Sequence, residues 1–249
     1  MTPMLEIRGL SKRFGGLAAT DNVSLSVPRG SLHAMIGPNG AGKTTLINQV
    51  AGEIRHDTGA ILLAGTEIGA LPAWRRVHCG LARTFQIAQL LPQYSVLDNV
   101  VLAVQVRQGH SFRFFADARK NCEARDQAIS HLQVVGLSSQ ASSRVADLGQ
   151  GERKQLELAV ALATSPSLLL LDEPMAGLSS FESRKMIELL AALKGQTTML
   201  LVEHDMDAVF ALADCISVLV YGRVVATGNS EQIKADEAVR AAYLGEDDG

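Results

Sequence analysis

Residues 37–45 read GPNGAGKTT, and the run Gly37-Pro38-Asn39-Gly40-Ala41-Gly42-Lys43-Thr44 satisfies GxxxxGK[ST] at every fixed position. It is flanked as that motif requires. Leu32 to Ile36 reads as a buried strand running into it, and Thr45 to Val50 reads as the helix that follows. Glycines at these positions let successive backbone N–H groups curl round a β-phosphate. Lys43 would bridge β- and γ-phosphates, and the Thr44 hydroxyl would ligate Mg²⁺. A strand, a phosphate loop and a helix in that order predict an α/β fold with a P-loop NTPase core.

Working outward, Leu168 to Leu171 followed by Asp172-Glu173 is the partner such a loop needs. The apolar run buries a strand. The first carboxylate at its carboxyl end can hold Mg²⁺ through water, and the second can orient an attacking water. An acid pair after any strand is a weak signal alone and gains weight from the upstream loop. His204 closes the strand TTMLLVEH and brings an imidazole to the same sheet edge, where a histidine is more often a polar strand end than a catalyst. Gln86 follows the short strand GLARTF at the entry to a region of different character.

That region begins at SVLDNVVLAVQV, whose Ser95-x-x-Asp98 is a capping pattern, and has a second helical stretch from about Ala116 to Val135. The chain therefore divides into a core of residues 1–86 and 159–249 and a helical insertion of 87–158. Alternation at Leu5-Glu6-Ile7-Arg8 and Val23-Ser24-Leu25-Ser26-Val27, with TGAILLAGTEI from Thr58 as a further strand, predicts an antiparallel patch at the N-terminal end. Apolar strands at 167–174, 197–204 and 215–222 alternate with helices near 180–193 and 205–213, which predicts a mostly parallel sheet covered on both faces.

Composition narrows the function. With 23 Lys and Arg against 26 Asp and Glu, the chain lacks the basic field of a general nucleic-acid binder, so nucleic acid is not expected as a partner. Cys79, Cys122 and Cys215 are far apart and form no metal-ligand spacing; they read as idle thiols of a reducing compartment. No signal core opens the sequence, and no apolar run approaches the roughly 20 residues of a spanning helix. A cytosolic protein is expected, held at any membrane by other chains. The acidic tail GEDDG reads as a solvated end.

One stretch resists a purely local reading. In DLGQGERKQLELAV, an amphipathic helix begins near Glu152, yet Gly149 and Gly151 bracket Gln150 where one cap residue would serve. Two glycines at the positive end of a helix dipole suggest close approach of an anion.

Phe14, GPNGAGKT, Gln86, LGQGE, LLLLDEP and His204, in that order, resemble the ATP-binding cassette (ABC) ATPases over almost the whole chain. Finer features, RFGGLAATDNVSL, LARTFQ, VEHDM and AYLGE, are similar to the cassettes of importers of branched-chain amino acids and of amides, urea and aromatic acids. The extra segment between 107 and 120 resembles the larger of the two unlike cassettes of that group. The resemblance implies a RecA-like core, an N-terminal antiparallel β-subdomain and an inserted helical subdomain. It implies ATP and Mg²⁺ as ligands. ATP would be held by Phe14 stacking on adenine, by Gly37, Pro38, Asn39, Gly40, Ala41, Gly42, Lys43, Thr44 and Thr45, and by Gln86. Mg²⁺ would be held by Thr44, Gln86 and Asp172, with Glu173 as general base and His204 as the switch at the γ-phosphate.

In that family LSGGQ caps an ATP bound to the opposite cassette, so Leu148, Gly149, Gln150, Gly151 and Glu152 would act in trans. Gly149 stands where the common motif has serine and Gln150 where it has glycine; loss of one hydroxyl corresponds to about 1 to 3 kcal/mol if uncompensated. Ser179 departs from an Asp-ending loop. The implied partners are a second cassette, a different one arranged head-to-tail or else a second copy, and two integral membrane permeases. A periplasmic or extracellular solute-binding protein acts indirectly. The implied location is peripheral, on the cytoplasmic face of a bacterial inner membrane.

The function so implied is hydrolysis of ATP to drive solute import. A cassette of a lipid or lipopolysaccharide exporter is the nearest alternative, followed by a soluble cassette protein, for which no tandem cassette, zinc insertion or basic face is visible. A kinase or GTPase would need an NKxD-like base reader, which the sequence lacks. The segment VRQGHSFRFFADARK, with Phe112, Phe114 and Phe115 among Arg107, Arg113, Arg119 and Lys120, reads either as local packing or as a contact surface for membrane subunits or lipid.

Overall fold

The computed structural model describes residues 2–84, 90–107 and 122–244. Two long antiparallel strands, β1 (Leu5–Phe14) and β2 (Leu17–Val27), open the chain. β3 (Leu32–Ile36) enters the interior and delivers the loop 37–42 to α1 (Lys43–Ala51). β4 (Thr58–Leu63) and β5 (Thr66–Glu67) return to the first sheet, and α2 (Ala73–His78) leads to β6 (Leu81–Arg83). Helices α3 (Val96–Arg107), α4 (Cys122–Val134) and α5 (Gln150–Ala163) pack on one another. The chain then runs through β7 (Leu168–Asp172), α6 (Ser180–Leu193), β8 (Thr198–Val202), α7 (Met206–Leu212), β9 (Cys215–Val220), β10 (Arg223–Gly228), α8 (Ser230–Ala235) and α9 (Glu237–Leu244).

A 4-stranded antiparallel sheet has the order β2-β1-β4-β5, and a 6-stranded sheet the order β10-β9-β3-β8-β7-β6. In the larger sheet β9, β3, β8, β7 and β6 are parallel, while β10 runs back along β9. Every residue of β3, β7 and β8 is buried, which is why LHAMI, LLLLD and TMLLV read as unbroken runs rather than alternations: a parallel sheet covered on both faces has no wet side. Because those strands are parallel, their carboxyl ends gather on one edge, and the edge collects the loops that follow Ile36, Asp172 and Val202.

Some local details differ from the sequence expectations. TGAILLAGTEI is two strands rather than one, because Ala64 (φ 51°) and Gly65 (φ 85°) make a left-handed turn inside it. β1 and β2 extend well past the short alternating segments that announce them. The capping pattern at Ser95 is real, its Oγ accepting the Asp98 N–H at 3.0 Å. The strand expected to end near Phe85 stops at Arg83; Phe85, Gln86 and residues 108–121, including Phe112, Phe114 and Phe115, lie outside the described residues.

A buried arginine fixes the helix that follows the phosphate loop. Arg76 on α2 is 2% exposed and donates to the carbonyls of Gln49 and Val50 at 2.7 Å, Gly69 at 2.8 Å and Leu71 at 2.9 Å. Its charge sits at the negative end of α1, where the last carbonyls of a helix lack partners of their own. α1 is thereby anchored from its far end.

Candidate functional site

At the amino end of α1 the loop is built from glycines that the rest of the fold requires. Gly37 (φ 149°) and Gly42 (φ 103°) lie in a region that L side chains rarely adopt, and a Cβ would run into the Leu219 carbonyl oxygen at the first and the Ala19 carbonyl oxygen at the second. β9 and β2 therefore press against the loop's backbone, and no side chain fits between. The Lys43 ammonium is held inside the curve, donating to the Gly37 carbonyl at 2.5 Å and the Pro38 carbonyl at 2.9 Å. The first turn of α1 carries no acidic residue and Gly42 supplies no side-chain cap, so its leading N–H groups are presented to an incoming anion. Asn39, Gly40 and Thr44 are exposed, Pro38 and Thr45 are half-buried, and Ala41 is buried with its carbonyl accepting the Gly222 N–H at 2.9 Å.

The acid pair stands on the neighbouring edge. Asp172 ends β7 in register with Val202 of β8, and its carboxylate is buried against Arg83, whose Nη2 donates to Oδ2 at 2.8 Å. Glu173 takes φ 48°, a left-handed conformation uncommon for a side chain of its size, while its N–H stays on the Val202 carbonyl at 2.9 Å. That local strain turns the second carboxylate away from the strand direction, and His204 Nδ1 lies 3.9 Å from its Oε1.

The sequence reading overlooked Glu203. It is 1% exposed, and its carboxylate accepts the backbone N–H groups of Met175 at 2.9 Å, His204 at 2.8 Å and Asp205 at 3.2 Å. One buried acid thus ties the turn after Glu173 to the turn carrying His204, keeping base and imidazole near each other. An acid closing the apolar run TMLLV immediately before the histidine was the signal available.

Phe14 ends β1, half exposed at 49%, with Lys12 Nζ 5.5 Å from its ring centroid. Its hairpin partner strand carries Ala19, the residue that abuts Gly42, so the aromatic belongs to the strand pair that borders the phosphate loop. Thr44 and Asp172 offer a hydroxyl and a carboxylate, hard oxygen donors of the kind Mg²⁺ takes alongside substrate phosphates. Among the described residues no group of three or more His, Cys, Asp and Glu is placed to hold a metal ion.

The stretch Leu148 to Glu152 is elsewhere. Gly149 caps α5 with ordinary extended angles (φ −67°, ψ 169°), and its N–H donates to Glu152 Oε2 at 2.9 Å. Only this half of a capping box exists, since glycine has no side chain to return the bond. Gly149, Gly151 and Glu152 face Ser179, Glu182 and Lys185 across an open cleft of ≈ 470 Å³ that none of residues 37–44 lines. Ser179 is the N-cap of α6: its N–H and hydroxyl donate to Glu182 Oε2 at 2.9 and 2.6 Å. The Ser179 hydroxyl and N–H, with a further contribution from the Gly151 N–H, hold the Glu182 carboxyl below its ordinary range. The Gln150 amide lies against Gly177, whose left-handed turn (φ 74°) disfavours any side chain and where a Cβ would displace that amide.

The ABC transporter family profile matches residues 20–176, and that of the branched-chain amino acid ATP-binding cassette transporters matches residues 223–249. The high-affinity branched-chain amino acid transport ATP-binding protein LivG of Escherichia coli (strain K12) is 38% identical, over 98% of this chain and 98% of its own. The corresponding BraF of Pseudomonas aeruginosa is 38% identical with the same coverage. Among solved structures, the ADP conformation of MJ1267, an ATP-binding cassette of an ABC transporter, superposes with a TM-score of 0.88 at 30% identity, covering 98% of this chain and 100% of that one.

Proposed function

Since the chain belongs to the ABC transporter family and is an ATP-hydrolysing cassette of it, we propose that it energises uptake of branched-chain amino acids or closely related small solutes through separate membrane subunits. The match of residues 223–249 to the branched-chain group and the names of the relatives support that class of solute. The observation that carries the mechanism is that the adjacent parallel strands β3, β8 and β7 end on one edge and lead to the loop before Lys43, to His204 and to Asp172-Glu173, with Glu173 and His204 3.9 Å apart.

On this reading Lys43 leaves the Gly37 and Pro38 carbonyls for the β- and γ-phosphates, and the N–H groups at the start of α1 take the remaining phosphate charge. Phe14 stacks on the adenine. Thr44 and Asp172, together with Gln86, would hold Mg²⁺, which neutralises charge developing on the transferred phosphoryl group. Glu173 accepts a proton from the attacking water, and His204 keeps the carboxylate aimed and contacts the γ-phosphate. Leu148 to Glu152 cap the ATP of an opposing cassette, so each site takes residues from two chains. Residues 87–158 move as the helical subdomain and pass closure to the permeases.

An ABC ATPase works with membrane permeases and a paired cassette. We propose specifically two permeases, an unlike second cassette arranged head-to-tail, and a solute-binding protein on the far side, at the cytoplasmic face of a bacterial inner membrane. No helix among the described residues is long and apolar enough to cross a membrane, which fits a peripheral subunit. Glu173→Gln is the test of the base. Turnover of the assembled transporter is expected to vanish while ATP still drives a closed cassette pair, visible by size-exclusion chromatography; a variant that hydrolyses ATP at the native rate removes Glu173 from the role.

A further inference from the structure

The segment LARTFQ contributes a residue to which the reaction as described gives no part. Arg83 is the last residue of β6, paired in parallel register with Leu170 of β7. Asp172 lies two residues further along β7, on the same face as Leu170. The guanidinium therefore reaches along the strand, donating from Nη2 to Asp172 Oδ2 at 2.8 Å, while Nη1 lies 2.9 Å from Glu53 Oε1. The Arg83 side chain is 9% exposed and that of Asp172 5%, whereas Glu53 is 39% exposed. Glu53 follows the end of α1 and has its own N–H on the Asn48 carbonyl at 2.9 Å. One buried cation thus clamps the ends of β6 and β7 to the end of the helix that leads away from the phosphate loop.

We propose that Arg83 is a positioning residue for hydrolysis: by engaging Oδ2 it fixes the Asp172 carboxylate and leaves Oδ1 to hold Mg²⁺ through water. This rests on the reading of Asp172 as the Mg²⁺ carboxylate. Two effects oppose each other. A guanidinium near a divalent ion repels it. Yet a carboxylate this buried, stripped of its partner, is an uncompensated charge beside Glu173, and it relaxes by turning away from its strand-end orientation. The contact at 2.8 Å acts directly on the carboxylate, while the repulsion acts from beyond it, so loss of orientation dominates.

The test is a Mg²⁺ titration of fluorescent ATP-analogue binding to the full chain, repeated in EDTA. Arg83→Met is expected to raise the half-saturating Mg²⁺ about tenfold, as loss of a partner to a metal-holding side chain does, with affinity in EDTA unchanged. Arg83→Lys, which keeps the charge but not the planar fork, falls between. Glu53→Gln, at an exposed position that leaves the fold intact, shifts the Mg²⁺ curve the same way by about two- to threefold. Mg²⁺ curves identical to the native one in Arg83→Met and Glu53→Gln overturn the proposal, as does a lower Mg²⁺ requirement or an equal loss in EDTA. A native protein whose nucleotide binding ignores Mg²⁺ instead overturns the assignment of Asp172. Melting temperatures recorded alongside identify a variant that fails to fold, in which case Glu53→Gln decides.

Discussion

Two helices in this molecule start behind glycines, and the glycines have opposite reasons. Before α1, Gly37 and Gly42 hold angles that exclude side chains, with neighbouring strands of the same chain packed against them. Before α5, Gly149 has angles open to any residue, and the one atom near the position of a missing Cβ is Glu152 Oε2, at an ordinary 3.7 Å. The first set is demanded by the chain's own fold. The second, at Gly149, is not: nothing in the chain itself demands a glycine there. A glycine motif is therefore interpretable only with its φ angle and its neighbours in hand.

The largest expected difference follows directly. Gly42→Ala would place a methyl group on the Ala19 carbonyl at φ 103°, so it is expected to destabilise the fold by about 3 kcal/mol or more and to abolish ATP binding. Urea unfolding and nucleotide titration check it. A folded Gly42→Ala protein that binds ATP with native affinity would erase the distinction between the two helix starts.

The phosphate loop also hangs from a titratable strand. His33 of β3 is 1% exposed, with Nε2 2.9 Å from Ser217 Oγ, and burial pushes its pKa down to about 4. The folded protein therefore holds this ring neutral where an unfolded chain protonates it near pH 6.5. Its stabilisation is complete above that pH and declines as pH falls toward 4, amounting to about 2 kcal/mol lost by pH 5. Urea midpoints at pH 7.5 and 5 should fall further for the native protein than for His33→Gln. Equal falls would mean that carboxylates alone govern the acid limb.

What the sequence made legible follows the same division. The phosphate loop, the acid pair and the strand runs are contiguous, so their residue types and spacing declare them. Arg76 beneath α1, Arg83 on Asp172 and Glu203 under His204 were not read, because each acts through partners distant in sequence or on backbone groups that only the fold brings near. Ser179 does depart from an Asp-ending loop, and Ser179-x-x-Glu182 is also a capping pattern, which the structure uses at the start of α6. Gln86 lies outside the described residues, so its place at the site rests on sequence alone.

A smaller effect probes the second helix start. A Cβ on Gly151 would come within 2.5 Å of Glu182 Oε1, but that oxygen ends a flexible side chain. Gly151→Ala should therefore lower stability by about 1 to 2 kcal/mol, because Glu182 in turning aside gives up its bonds to the Ser179 N–H and hydroxyl, still less than Gly42→Ala. A loss as large as that at Gly42 would show that this glycine too is required internally.

Gly149→Ser has the smallest expected effect on the fold and the most informative one on function. Serine fits the extended angles of the cap and can accept the Glu152 N–H, completing the half-formed capping box, so stability should rise by a few tenths of a kcal/mol. Its hydroxyl would also add a donor toward a phosphate bound opposite. A hydrogen bond to a charged group is worth about 1.5 kcal/mol or more when fully formed, roughly tenfold, so ATPase in the assembled transporter should rise by several-fold to about tenfold. The same substitution should leave ATP binding to the isolated chain unchanged, because residues 37–44 do not border the cleft at Gly149. An unchanged rate in the transporter would mean that backbone N–H groups and Gly151 already suffice; an altered affinity in the isolated chain would contradict the separation of the two helix starts.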